Sequence, residues 1–423
     1  MRRPIPDDMQ STLHVAAAST WRRSLMLLAA CALSCSSQPP AAIERVDPPA
    51  AAGALAPNLS LDGRAVWLSW LEPDAAGYAL KLARFDDGAW GMASTVARGA
   101  RFFANDADVP SVVRGPDGAL VAHWLAKSGL GTHAYDVQLA RSRDDGATWQ
   151  ALGTAHDDGT QTEHGFVSLL ATAEGVRAFW LDGRAMGVSG EEGSMTLRTA
   201  LIGSAVSARE LLDDRVCECC QTSAALTSEG PVLVYRNRSA SELRDPWIVR
   251  REPNGWSSPA PVHEDGWEML GCPVNGPAVA SDGERTLAVV WFTGQGNHPR
   301  VQIAFSRDAG ASFGPPAVVD EARPAGRVGA VLTDTGDAIV SWVAPRRQGE
   351  GAELRVARVA PDGRVGAPLV ISASLGAAVR GLPRLVRRGD ALVIAWISAE
   401  AESRVRAVTL PVRHVPATPG ARR

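Results

Sequence analysis

Three of the six cysteines in this chain fall within four residues, as Cys217, Cys219 and Cys220 in the stretch DDRVCECCQTS. Cys272, in GCPVNGPAVA, follows further along, and Cys31 and Cys35 lie near the N-terminus. Thiols packed this closely support three chemistries. They can pair as disulfides, they can hold a soft metal such as Cu(I) or Zn2+ as thiolates, or one of them can act as a nucleophile. A bond between the adjacent Cys219 and Cys220 would be strained, so the expected disulfide joins Cys272 to one of Cys217, Cys219 or Cys220. The metal reading comes second, because the Cys-x-Cys-Cys spacing matches no closed zinc module. The reactive-thiol reading comes last, because Asp213, Asp214 and Glu218 supply negative charge beside the cluster.

The compartment bears on that choice. Arg22 and Arg23 lead into the apolar run SLMLLAACALSC, which ends at Cys35 and is followed by a polar, Pro-rich stretch. An apolar core of about ten residues is roughly half of what a bilayer needs, so the run reads as a secretion signal rather than a span. LAAC at Cys31 and ALSC at Cys35 each resemble the lipobox of bacterial lipoproteins. The expectation is a leader over 1–35, lipidation at Cys35 or Cys31, a Pro/Ala-rich tether over 36–56, and a chain held in the bacterial cell envelope by a lipid anchor alone, facing the periplasm or the exterior. In that compartment thiols tend to be oxidised. The net charge of -3, with basic residues scattered, argues against nucleic acid as a partner.

The elements that position the cysteines follow from an internal repeat. Short apolar runs ending in an aromatic recur at Trp70, Trp124, Trp180, Tyr235, Trp291, Trp342 and Trp396, at intervals of 54, 56, 55, 56, 51 and 54 residues. Each unit reads as four short strands joined by Gly/Asp turns, with no long helical periodicity. A uniform period of that length predicts an all-β fold, a β-propeller of four-stranded antiparallel blades over 57–412, followed by a tail over 413–423. Seven units are counted, with a six-bladed ring as the alternative. The last unit supplies only three strands, so closure requires a strand from the N-terminal side.

Two turns are more specific. SRDDGATW (Ser142, Asp144, Gly146, Trp149) and SRDAGASF (Ser306, Asp308, Gly310, Phe313) share the pattern Ser-x-Asp-x-Gly-x-Thr/Ser-aromatic, and FDDGAW and PNGW are worn versions. The Asp can accept backbone N–H bonds across the turn while Gly takes a positive φ. The pattern resembles the Asp box, or BNR repeat, of the sialidase superfamily, which implies a propeller and an exo-alpha-sialidase-like fold but says little of activity.

Position in the repeat then predicts position in space. Entries to the channel-lining strands should bring Asp108, His164, Cys219, Cys220 and Cys272 to one channel mouth, with His164 near the thiols. The loops after the aromatic strands should add His123, Lys127, Tyr135, Asp182, Arg184, Tyr235, Arg236 and Arg238, joined by Trp267 and His298. The resemblance implies that an active sialidase would need three arginines on a substrate carboxylate, a Tyr nucleophile paired with Glu, and an Asp acid/base. Arg184, Arg236, Arg238, Arg300 and Arg380 are candidates for the clamp, and Tyr135 or Tyr235 with Glu163 for the nucleophile. No tyrosine follows Tyr235, where the family places its own. Paired carboxylates among Asp106, Asp108, Glu163, Asp182 and Glu264 offer another glycosidase chemistry, with no spacing that selects a pair. The expectation is therefore a non-catalytic propeller that binds a glycan, a metal or a partner protein on the cysteine face. A glycoside hydrolase of exo-alpha-sialidase type is the alternative.

Overall fold

A computed structural model describes residues 43–63, 65–187, 193–346, 349–373, 375–376, 381–400 and 402–420. All of these lie in one compact unit, Ala41–Arg423. Cys31, Cys35 and Arg380 fall outside the described residues. No helix among those described is long and apolar enough to cross a membrane.

The strands form seven antiparallel sheets, six of them from one sequence unit each in meander order. Their first strands are Leu55–Asp62, Ser111–Arg114, His164–Thr172, Ser223–Thr227, Ala278–Ser281, Gly326–Leu332 and Arg384–Arg388. Each first strand packs against the next, and the last against the first, so the sheets are the blades of a closed ring. Seven blades, not six, complete it. The seventh takes its outer strand from the other end of the chain, where Glu44–Arg45 pair with Thr409 and Val408. Residues expected to be a free tether thus belong to the propeller, and Leu55–Asp62 begins earlier than the expected boundary. The expected tail is also engaged, since Val415 and Thr418 are buried and the Arg364 guanidinium donates to the carbonyl of Pro419 at 2.5 Å.

The second strand of each blade explains the aromatic signal. It lies between two strands of its own sheet and between two neighbouring blades, so both faces are buried and the apolar run is continuous rather than alternating. All eight residues of Gly175–Asp182 are buried. Trp70, Trp180, Tyr235 and Trp291 have no exposed surface at all. A ring that deep needs a partner for its polar atom. Trp70 donates to Glu72 at 3.0 Å, Trp180 to Asp182 at 2.8 Å, Tyr235 to Asp213 at 2.5 Å, Trp291 to Asp265 at 2.7 Å and Trp342 to Asp320 at 2.6 Å.

The two specific turns close the third-to-fourth strand connections of blades two and five with nearly identical geometry. Asp144 accepts from Thr148 N at 2.8 Å and Asp308 from Ser312 N at 2.9 Å, while the serine hydroxyls of Ser142 and Ser306 accept from Gly146 N at 2.8 Å and Gly310 N at 2.9 Å. Gly146 and Gly310 adopt φ of 86° and 85°. Hydrogen bonds from the Thr148 hydroxyl and N–H and from the Ser142 hydroxyl hold Asp144 down at about 2.

Candidate functional site

The loops that enter first strands and those that leave second strands meet on one face. Isolated bridges tie them together: Tyr135 to Glu163, Val216 to Asn237, and Leu243 to Glu268. The cysteines sit there, with Cys217 and Cys220 buried and Cys219 partly so in the turn that leads into blade four, and Cys272 exposed in the loop that leads into blade five.

The expected inter-blade disulfide is not formed, and all four cysteines are free. The turn folds the three clustered thiols onto one another instead. Cys217 Sγ lies 3.2 Å from Cys220 Sγ and 4.0 Å from Cys219 Sγ. Cys272, from the entry loop of blade five, neighbours Cys219, whose thiol holds that of Cys272 below its ordinary pKa. The thiols share hydrogen bonds unequally. Cys217 shares hydrogen bonds with Cys219 and Cys220, and these, with the nearby Arg244 guanidinium, hold the Cys217 thiol well below its ordinary pKa. Burial and the same partnership push Cys220 up to about 12. Two of the three acids expected to oppose ionisation, Glu218 and Asp213, are engaged by other partners. Arg238 pairs with Glu218, Arg244 bonds Glu218 at 2.9 Å, and Asp213 is taken up by Tyr235.

Beside the cluster opens a cleft of about 910 Å³, lined among others by His133, Glu163, Met186, Glu242, Leu270 and Cys272. On its wall Arg238 and Arg244 alternate with Glu218 and Glu242 in a closed ring of ion pairs, the Glu242 contacts both at 2.8 Å.

Towards the channel, the Tyr135 hydroxyl donates to Glu163 Oε1 at 2.5 Å. Asp108 is next to this pair: the Cβ of a residue replacing Gly165 would meet Asp108 Oδ2 at 2.1 Å and the Tyr135 ring at 3.0 Å. Asp108 accepts from Phe166 N at 2.7 Å. Burial raises its pKa to about 7, with the Glu163 charge adding to the rise. The facing Arg384 is half-buried, and desolvation lowers it to about 10 against the pull of Asp108. Asp108 and Arg384 line the channel, a cavity of about 380 Å³.

Other expected site residues go elsewhere. His123 lies inside the second strand of blade two, fully buried, with Nδ1 2.9 Å from Ser111 Oγ, and desolvation lowers its pKa to about 3. Lys127 ends that strand, exposed, over the Phe103 ring. Arg236 is spent on backbone carbonyls, donating to Asn275 O at 2.7 Å and Phe292 O at 2.8 Å, with Trp267 stacked on its guanidinium at 5.0 Å. Tyr235 is buried against Asp213, Arg184 is paired with Asp182 at 2.7 Å, and Arg300 faces Gln295 at 3.4 Å. Glu264 and His298 are exposed. No three of the described candidate arginines converge on one point as a carboxylate clamp. His164 does not join the thiols. It joins His156, Asp136, Asp158 and Asp182. Arg244, Arg384, His156 and Asp158 are site residues that the repeat analysis missed.

No protein-family model matches the chain, and neither does any curated protein. Solved structures resemble it in fold. A polysaccharide lyase of the PL25 ulvan lyase family, bound to -[GlcA(1-4)Rha3S]-, aligns with a TM-score of 0.55 at 10% identity over 87% of this chain and 96% of its own. The polysaccharide lyase Uly1 aligns with a TM-score of 0.52 at 8% identity, over 84% and 89%. A mutant of NanB sialidase from Streptococcus pneumoniae aligns with a TM-score of 0.45 at 12% identity, over 86% and 69%. At such identities the likeness is one of fold.

Proposed function

We propose that this sialidase-like propeller is a cell-envelope protein that binds a soft metal ion, Cu(I) or Zn2+, through Cys217, Cys219, Cys220 and Cys272. The observation that carries this reading is the mutual approach of unbonded sulfurs at 3.2 and 4.0 Å. Metal–sulfur bonds of about 2.3 Å put tetrahedral sulfurs about 3.8 Å apart, between those two values. Thiolates are the ligands that soft metals prefer. Binding releases thiol protons, and Arg244 beside Cys217 favours the first ionisation. The exposed Cys272 is the ligand an incoming donor reaches first. The lipoprotein-like leader supports a place in the envelope.

Elemental analysis and thiol counting on protein purified without chelator test this. One equivalent of copper or zinc per chain is expected, with loss of at least nine-tenths of it in Cys217→Ser and Cys220→Ser. A metal-free chain whose thiols all resist alkylation without reductant would reverse the conclusion in favour of disulfides.

A second reading has its own observation: Tyr135 on Glu163 at 2.5 Å with Asp108 alongside is the residue set of a sialidase-type glycoside hydrolase. Against it, Tyr135 is only 2% exposed and stacks on Phe103 at 4.1 Å, and burial raises its pKa rather than activating it. Turnover of a fluorogenic sialoside that vanishes in Tyr135→Phe would favour this reading over metal binding.

A further inference from the structure

His156 and His164 stack face to face, ring centroids 3.6 Å apart and planes within 3°, where the entry loop of blade three meets its first strand. Both are buried. The hydrogen on His164 is placed by its neighbours. Its Nδ1 lies 3.2 Å from the carbonyl of Thr162 and 3.3 Å from that of Tyr135. Both groups only accept, so Nδ1 is the protonated nitrogen. In the neutral ring Nε2 is then a lone pair, and it faces Asp158 Oδ1 at 3.3 Å and Asp182 Oδ1 at 3.8 Å. His156 repeats the arrangement. Its Nδ1 donates to Asp158 at 2.8 Å, which leaves the Nε2 lone pair 3.6 Å from Asp136 Oδ1. Neither Nε2 has a hydrogen-bond partner among the described residues.

Lone pairs aimed at carboxylate oxygens repel them unless positive charge stands between. Protonating one ring relieves one nitrogen and leaves the other lone pair on a carboxylate, while protonating both stacks two imidazolium faces, a like-charge contact in a buried site. Arg184 bonds Asp182 at 2.7 Å and stands 3.3 Å from Asp158, yet no hydrogen bond from it to either imidazole occurs among the described residues.

We propose that Asp158, His164 and Asp182 form a site for a divalent transition-metal ion, with Zn2+ the best match, at the junction of blades two and three and separate from the cysteines, with His156 and Asp136 packed beside it. One ligand atom each from Asp158, His164 and Asp182 lies within 4.8 Å of the others, and the same holds for Asp136, His156 and His164. Bonds of about 2.0–2.2 Å to nitrogen and oxygen put tetrahedral ligands about 3.3–3.5 Å apart, which the spacings around His164 Nε2 approach. A carbonyl or carboxylate on the non-ligating nitrogen is the outer arrangement that orients metal-bound histidines, and both rings have it. The nitrogen and oxygen donors select a harder ion than the thiolates do.

The test uses the full chain with Cys217→Ser, Cys219→Ser, Cys220→Ser and Cys272→Ser, titrated with Zn2+ by calorimetry and with Co2+ by absorption. One equivalent is expected, with cobalt d–d bands and no thiolate charge-transfer band. Affinity should fall at least 100-fold in His164→Gln and in Asp158→Asn, with folding checked by near-UV circular dichroism. Should His164→Gln unfold, Asp158→Asn decides. A folded four-serine chain that takes up neither ion, or an Asp158→Asn chain that keeps full affinity, overturns the site. Loss of metal from the cysteines alone leaves this titration unchanged, so the two sites fail separately.

Discussion

Asp108 couples the channel mouth to pH. Its pKa is about 7 in the folded chain against 3.8 when exposed, so the folded state holds a proton that the unfolded state releases. The stability that this group allows is complete below pH 4 and is lost as pH rises towards 7. Asp108→Asn keeps an acceptor for Phe166 N and removes the titration. The fall in unfolding free energy between pH 4 and pH 8 should shrink by up to roughly 4 kcal/mol, read by urea denaturation at the two values. Asp108 was legible in the sequence because the repeat period marks entries to channel strands, and the same count found Cys219, Cys220 and Cys272. His123 and Arg236 were misplaced for one reason. Their polar or amphipathic type suggested a loop, whereas each is buried by a neighbour that no spacing encodes, such as the Asn275 carbonyl on Arg236. His156 went unnoticed because its place depends on an entry loop that folds back to stack it on His164.

Blades hold one another through the turns as well as through the strands. A Cβ on Gly310 would meet Ile248 Cδ1 of the preceding blade at 2.7 Å, whereas one on Gly146 would meet Leu82 Cδ2 at 3.2 Å. Both glycines adopt the left-handed conformation, so both substitutions are strained. Gly310→Ala should therefore destabilise by about 2–3 kcal/mol and Gly146→Ala by about 1–2, compared by thermal and urea unfolding. These turns could be read directly from sequence because every partner lies within a few residues. The buried carboxylates that serve Trp291 and Trp342 could not, since Asp265 and Asp320 lie 26 and 22 residues away in sequence from their rings.

At the scale of the molecule, the chemistry is unevenly spread around an even ring. The thiols, the histidine pair, Tyr135, Glu163 and Asp108 all come from the entry loops and adjoining strands of blades two to five, while blades six and seven contribute Arg327 and Arg384 towards the centre. The blade number and the need for an N-terminal closing strand followed from the period, but its location at Glu44–Arg45 did not, because two polar residues carry no strand pattern. That strand is reinforced by Asp47, which pairs with Arg406 at 2.9 Å, and by Val46, whose carbonyl accepts from Trp90 at 2.6 Å. Removing residues 1–50 should lower Tm by roughly 5 °C and promote association through the bared edge, as seen by calorimetry and light scattering. The pairing of Glu44 with Thr409 also sets an order of events. During synthesis the closing strand emerges first of all the described elements and its partner nearly last, so the circle stays open until almost the whole chain has been made. A ribosome stalled in any earlier blade leaves an unfinished arc with a raw β edge, and the nascent chain must be shielded for that whole interval.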